Sequence, residues 1–385
     1  MYFFGDIMKE VKIFEAFAGI GAQSAALKKA DIKYRVVGIS EWFISALLAY
    51  DAIHHPNEKF ECSLTIEEKK DYLSKFKFSK DSVHECNINS LGDKEIDDLY
   101  RAHIRNKNLG SITDISLSKL PRLDILVYSF PCQDLSTGGK TAGMSKGSGT
   151  RSGLLWEIER ILLDLKKHNK LPKALLLENV KTLKSDSNKK DFQQWKDFLT
   201  IIGYLNEDCV VLDAQNFGIP QHRERCFMLS QLNSDNNKII IDYLQKLEKV
   251  RIKYKNMQKD IKYFIHLDPN DHKDEQDAAQ LNRTPSREIM WSVNKREKID
   301  NNLILYTIHC NLDRSNNPGM FHYVGPKGDT YRLLTMREAF LLMGFTNEQF
   351  ESVKNLGFSY RKINKLIGNS IVVDVLSAIF EALYK

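Results

Sequence analysis

The stretch Leu123–Gly139, LDILVYSFPCQDLSTGG, decides the fold class. An apolar run with β-branched residues stops at Pro131-Cys132-Gln133 and gives way to small and polar residues. The run Asp124–Phe130 reads as a buried strand, and the residues after it as a loop at its carboxyl end. In an open α/β sheet that edge is where ligands bind. Cys132 is therefore either a buried structural thiol or a reactive one beside a cleft.

Working outward, Val11–Phe17, Tyr34–Ile39, Ala174–Leu177, Cys209–Leu212 and Cys226–Leu229 read as further strands. Between them Gln23–Lys29, Ile44–His54, Leu154–His168 and Trp195–Ile202 read as helices, and Val372–Tyr384 closes the chain as another. Leu154–His168 is amphipathic, with basic residues in its last turn, where they suit the helix dipole. Strands alternating with helices predict an α/β protein with a doubly wound, mainly parallel sheet covered on both faces. The pattern breaks over Gln231–Asp329, a stretch rich in Asn, Lys and Asp, and resumes at Tyr331–Phe345. A chain of 385 residues exceeds the size of most single cores. Two domains are expected: a larger one of 1–230 plus 362–385, and a smaller, irregular one of 231–361. The polar segment Asn57–Thr113 reads as surface helices.

Hydrophobic content of 42% and charged content of 28% describe an ordinary globular protein, and the net charge of +6 permits a polyanionic partner. The six cysteines form no C-x-x-C pair and no zinc-spaced cluster, so reduced thiols and no metal are expected. No secretory signal stands at the start, and no apolar run approaches the roughly 20 residues that cross a bilayer. These features predict a soluble intracellular protein.

Candidate chemistry gathers at strand ends. Phe17-Ala18-Gly19-Ile20-Gly21 is a glycine-containing turn from strand to helix, either a plain tight turn or a place where backbone approaches a ligand. Glu41, about 20 residues on at the next strand end, suits ribose hydroxyls, and Trp42 could stack on an adenine or simply fill the core. No third glycine follows at dinucleotide spacing, which favours a nucleoside cofactor without a pyrophosphate. Glu178-Asn179-Val180 ends a third strand. Alternation then places Gln221, Arg223 and Arg225 on one face, as a charged strand entry or as donors aimed at the cleft.

These blocks, with Gly368-Asn369-Ser370, stand in the order and approximate spacing of the DNA cytosine-5 methyltransferase family, which the chain resembles over almost its whole length outside Gln231–Asp329. Arg332-Leu333-Leu334-Thr335-x-Arg337-Glu338 with Met343-Gly344-Phe345 resembles a further family motif, and Gly149–Arg160 looks most like bacterial, restriction-modification members. Ile371, where valine is common, and Ala22, where glycine is usual, are minor departures. The resemblance implies an S-adenosylmethionine-dependent methyltransferase with a Rossmann-like fold, acting on double-stranded DNA as a monomer in the bacterial cytoplasm, without metal or membrane.

By the same resemblance Cys132 is the nucleophile, Glu178 holds the ring nitrogen 3 edge of cytosine, Arg225 binds oxygen 2, and Gln221 and Arg223 orient the pocket. Phe17, Gly19, Gly21, Glu41, Trp42, Asp114, Ile115, Leu154 and Asn369 are expected at the cofactor. Ser136–Arg151 would be a loop closing over a flipped base. Gln133, Gly139, Lys140, Arg151, Arg251, Lys253 and Arg314 are expected on DNA, and Thr307–Asn311 offers side chains for base edges. An RNA-methylating relative, a silent DNA binder and a dehydrogenase are weaker readings. The long separate module, the intact catalytic residues and the missing pyrophosphate site argue against them in turn.

Overall fold

The computed structural model describes residues 10–131, 143–147, 150–233, 242–266, 268, 270–293, 304–312, 318–324, 328 and 331–385. Its first half runs β1 (Val11–Ala16), α1 (Ala22–Lys29), β2 (Tyr34–Ser40), α2 (Ile44–His54), α3 (Ile66–Leu73), α4 (Asp93–Arg105), β3 (Ile125–Tyr128), α5 (Leu155–Lys167) and β4 (Ala174–Val180). Next come α6 (Asp186–Ile202), β5 (Tyr204–Asn206), β6 (Val210–Asp213), β7 (Gln221–His222), β8 (Glu224–Leu232) and α7 (Tyr243–Asn256). The irregular stretch contributes α8 (Lys273–Ala278), α9 (Pro285–Val293), β9 (Leu305–Tyr306), β10 (Phe321–His322) and β11 (Tyr331–Arg332). The chain ends in α10 (Met336–Leu341), α11 (Asn347–Lys354), α12 (Tyr360–Gly368) and α13 (Val373–Tyr384).

Seven strands form one sheet in the order β2-β1-β3-β4-β8-β5, with β6 also on β8. The first four are parallel, as the sequence predicts, whereas β8 runs antiparallel to β4, β5 and β6. Alternation along the strands makes two cores. Ile13, Ile125, Val127 and Leu176 face α1 and α13, while Phe14, Leu126, Leu175 and Leu177 face α5 and α6. Trp195 anchors the second core, fully buried with its indole N–H donating to Tyr128 Oη at 3.2 Å. Burying each such leucine or phenylalanine contributes about 1.5–3 kcal/mol.

Two expectations are corrected. Cys209 and Cys226 form a disulfide with Cα atoms 6.1 Å apart, because the β6–β8 ladder makes neighbours of residues too distant for a C-x-x-C search. Cys62, Cys86 and Cys310 are free. Tyr360–Tyr384 is long and apolar enough to cross a bilayer by composition, yet it is mostly buried as the core helices α12 and α13. Tyr243, Leu247 and Tyr254 of α7, with Phe264 and Ile265, join the same core as α13, whereas Leu281, Trp291, Met320 and Leu333 form a small core of their own.

Candidate active site

The carboxyl ends of β1, β2, β3 and β4 open into a cleft of about 400 Å³, within the range of small-molecule sites. One wall is the turn after β1. Phe17, Gly19 and Gly21 all take left-handed φ (57°, 58° and 79°), which bends the chain sharply into α1. A Cβ on Gly21 would sit 2.2 Å from His54 Nε2, so this position requires glycine for space as well as for φ. Gly21 itself does not line the cleft; Phe17, Gly19, Ile20 and Ala22 do.

Glu41, at the end of β2, fastens that turn. Its Oε2 accepts from Gly19 N at 2.8 Å and its Oε1 from Phe43 N at 2.7 Å. Burial pushes the Glu41 carboxyl up to about 7, against the pull of those backbone N–H groups. The acid therefore ionises as pH rises from about 6 to 8, and only the carboxylate accepts freely from a ribose hydroxyl. Affinity for S-adenosylhomocysteine is expected to rise across that window and to be flat in Glu41→Gln; titration calorimetry at the two pH values checks this. The stability sign is opposite. A raised carboxyl contributes stability in full below its unfolded pKa and loses it through about 7, so the ligand-free protein melts lower at pH 8.

Trp42, Leu154 and Asn369 line the same cleft, as does the segment Ser111-Ile112-Thr113. Asp114 and Ile115 do not: Asp114 pairs with Lys77 at 3.1 Å near the surface, and Ile115 is buried against α5. The variable spacing before β3 hid this offset from the sequence.

At the far end of the cleft stands Glu178, which is 5% exposed. Its Oε2 accepts from Ser129 Oγ and its Oε1 lies 3.5 Å from Arg225 Nε. The antiparallel direction of β8 creates this pairing, since the register sets Arg225 opposite Val180 and so brings the start of β8 to the end of β4. Asn179 also lines the cleft, its amide donating to Phe130 O at 3.0 Å. Ser129 had no signal in the sequence beyond its place at a strand end.

Arg223 borders the cleft but works as a tie, donating to the carbonyls of Ile308 (2.5 Å), Gly368 (3.0 Å) and Ser370 (2.7 Å). Gln221 is fully buried away from it, bonding Leu342 O and Ile308 N. Gly368 packs so closely on the other side that a Cβ would lie 2.3 Å from Cys310 N, and this close approach sets Asn369 at the rim. The segment Thr307–Asn311 is thus packed on β7 and α12, with Thr307 Oγ1 donating to His222 O at 2.8 Å.

Arg151 lines the cleft and donates to Ser82 O at 2.7 Å. Arg251 and Lys253 lie on α7, outside the cleft, paired with Glu248 (2.5 Å) and Glu381 (2.6 Å) respectively. Cys132, Gln133, Gly139, Lys140 and Arg314 lie outside the described residues, as does most of the expected closing loop. Of its described residues, Gly143–Gly147 are held on α5, where Trp156 Nε1 donates to Met144 O at 2.7 Å.

Comparison with known proteins gives the family. The C-5 cytosine-specific DNA methylase family model matches residues 75–385. The chain is 35% identical to the type II methyltransferase M2.ScrFI of Lactococcus lactis subsp. cremoris, over 97% of this chain and 99% of that protein. It is also 35% identical to the orphan methyltransferase M.SssI of Spiroplasma monobiae, over 97% of each. The chain belongs to the C-5 cytosine-specific DNA methylases. Among solved structures, the S. pombe Dnmt2 methyltransferase shares the fold, with a TM-score of 0.62 at 18% identity, over 97% of this chain and 98% of that one. The methylase is an S-adenosylmethionine-dependent enzyme that methylates carbon 5 of cytosine in DNA. The residues fit that cofactor, for the glycine turn, Glu41 and Trp42 make a nucleoside-sized wall, and Gln23, which has a buried side-chain oxygen without a partner, lines the same cleft.

Proposed function

We propose that the methylase modifies cytosine within one short duplex sequence, on a base flipped out of the stack, through a transient bond to Cys132. The Glu178–Arg225 pair at the end of the cofactor cleft carries this reading. A cytosine entering there meets a carboxyl and a guanidinium. Glu178 holds the nitrogen 3 edge, Arg225 takes oxygen 2, and together they draw electron density from the ring. The Cys132 thiolate then adds to carbon 6, which makes carbon 5 nucleophilic. S-adenosylmethionine supplies an electrophilic methyl group. After carbon 5 is methylated, loss of its proton re-forms the double bond and expels the thiolate.

Flipping is required because the thiolate and the methyl donor must approach the faces of the ring, which neighbouring bases cover in a stacked duplex. Arg151 lines the cleft, which supports its assignment as a DNA contact. The protein acts as a monomer in the bacterial cytoplasm, and its bacterial type II relatives support that setting. The test is methyl transfer from labelled S-adenosylmethionine to duplex DNA and to RNA. Transfer to DNA is expected in the wild type, and none from Cys132→Ser, which should still bind DNA. Methylation of RNA alone, or near-normal turnover by Cys132→Ser, would refute the reading.

A further inference from the structure

We infer that Lys365 and Arg151 together form an anion clamp at the mouth of the cleft, which grips a backbone phosphate of the bound DNA. The inference rests on the reading that duplex DNA meets this cleft, and it adds Lys365 to the contacts expected there. Lys365 stands on α12, one turn after the exposed Arg361, so the two basic groups share a helix face. Arg151 is distant in sequence, on the cleft wall just before α5.

One short turn brings them together. Arg151 donates to Ser82 O at 2.7 Å, and Lys365 Nζ donates to the carbonyl of the preceding residue, Asp81. Ser82 takes a left-handed φ of 68°, and Asp81 fixes the turn by accepting from Val83 N at 2.7 Å, His84 N at 2.8 Å and Ser79 Oγ at 3.1 Å. The same carboxylate pairs with the His84 ring at 2.7 Å, so it is committed to its own turn. Two adjacent carbonyls thus hold the ammonium and the guanidinium side by side.

Held this way, the two cations repel. Burial first, and then Arg151, pushes the Lys365 ammonium below its usual range, and Arg361 adds to the effect. An anion between the two relieves that repulsion, and a phosphate oxygen accepts from lysine and arginine alike. Position decides which anion. Arg151 lines the cleft, as do Phe43 and Leu366 next to Lys365, whereas Lys365 and Arg361 stand outside it. A cofactor lodged in the cleft keeps its carboxylate inside. A duplex is too wide for a cleft of about 400 Å³, so its backbone runs across the mouth, where the clamp stands.

Fluorescence anisotropy on the full-length protein tests this, with S-adenosylhomocysteine present and, as probe, a duplex that the wild type methylates. Lys365→Gln should bind it about fivefold more weakly, and the slope of log affinity against log salt should become shallower by about 0.9. Lys365→Arg, which keeps the charge, should retain both affinity and slope. Titration calorimetry should find S-adenosylhomocysteine bound by Lys365→Gln within about twofold of wild type. An unchanged salt slope in Lys365→Gln would overturn the assignment, because a structural loss alone does not change the number of phosphates neutralised. So would an equal loss of S-adenosylhomocysteine affinity, which would put the cation on the cofactor carboxylate, or a loss of DNA binding by Lys365→Arg. Should the wild type methylate no duplex, the functional reading falls first and the clamp with it.

Discussion

Replacing Glu178 with glutamine is expected to slow methyl transfer by about 10²–10³-fold while S-adenosylhomocysteine binds as before. The substitution keeps the shape, and Ser129 can still donate to the side-chain oxygen. What is lost is an acid able to give or share a proton at nitrogen 3, and a charge facing Arg225 at 3.5 Å. Both matter only as the ring takes on electron density, so the loss should fall on the rate of a single turnover and leave cofactor affinity alone. Rapid-quench measurement of methyl transfer with saturating DNA reads the step directly. A rate within about threefold of wild type would remove Glu178 from the chemistry and leave it as packing.

Arg332→Met is expected to destabilise the protein by about 3–5 kcal/mol, the largest structural effect we foresee. Arg332 is 1% exposed and Glu338 is fully buried. The guanidinium makes two bonds of 2.8 Å to the Glu338 carboxylate and further bonds to Gln276 Oε1, His266 O and Leu333 O. Glu338 in turn receives the backbone N–H groups of His266 and Thr335, the latter closing a capping box at the start of α10. Taking away the arginine strands a charge in the interior and releases three segments at once. The double variant Arg332→Met, Glu338→Met should recover part of the loss, because no charge is then left buried alone. Urea unfolding followed by tryptophan fluorescence checks both. A cost below about 1 kcal/mol for the single variant would show the pair to be dispensable.

The same residues show how far the chain could be read unaided. Arg332-Leu333-Leu334-Thr335 is conspicuous as a motif, yet nothing in it tells that the arginine is a structural tie rather than a DNA contact. Arg223 and Arg225 sit two apart and look equivalent. One turns inward to the carbonyls of Ile308, Gly368 and Ser370, and the other faces Glu178. Arg251 and Lys253 look like phosphate contacts until Glu248 and Glu381 are seen beside them.

What the amino-acid order determined by itself was local: the strands β1 to β4, the helices between them, the glycine turn and the acids at strand ends. These depend on periodicity, β-branching and backbone freedom, which act over a few residues. Tertiary structure alone decided the antiparallel course of β8, the Glu178–Arg225 pair, the offset from Asp114 to Ser111–Thr113, and the orphaned oxygen of Gln23. Each of these depends on partners distant in sequence, so it exists only once the chain has closed on itself.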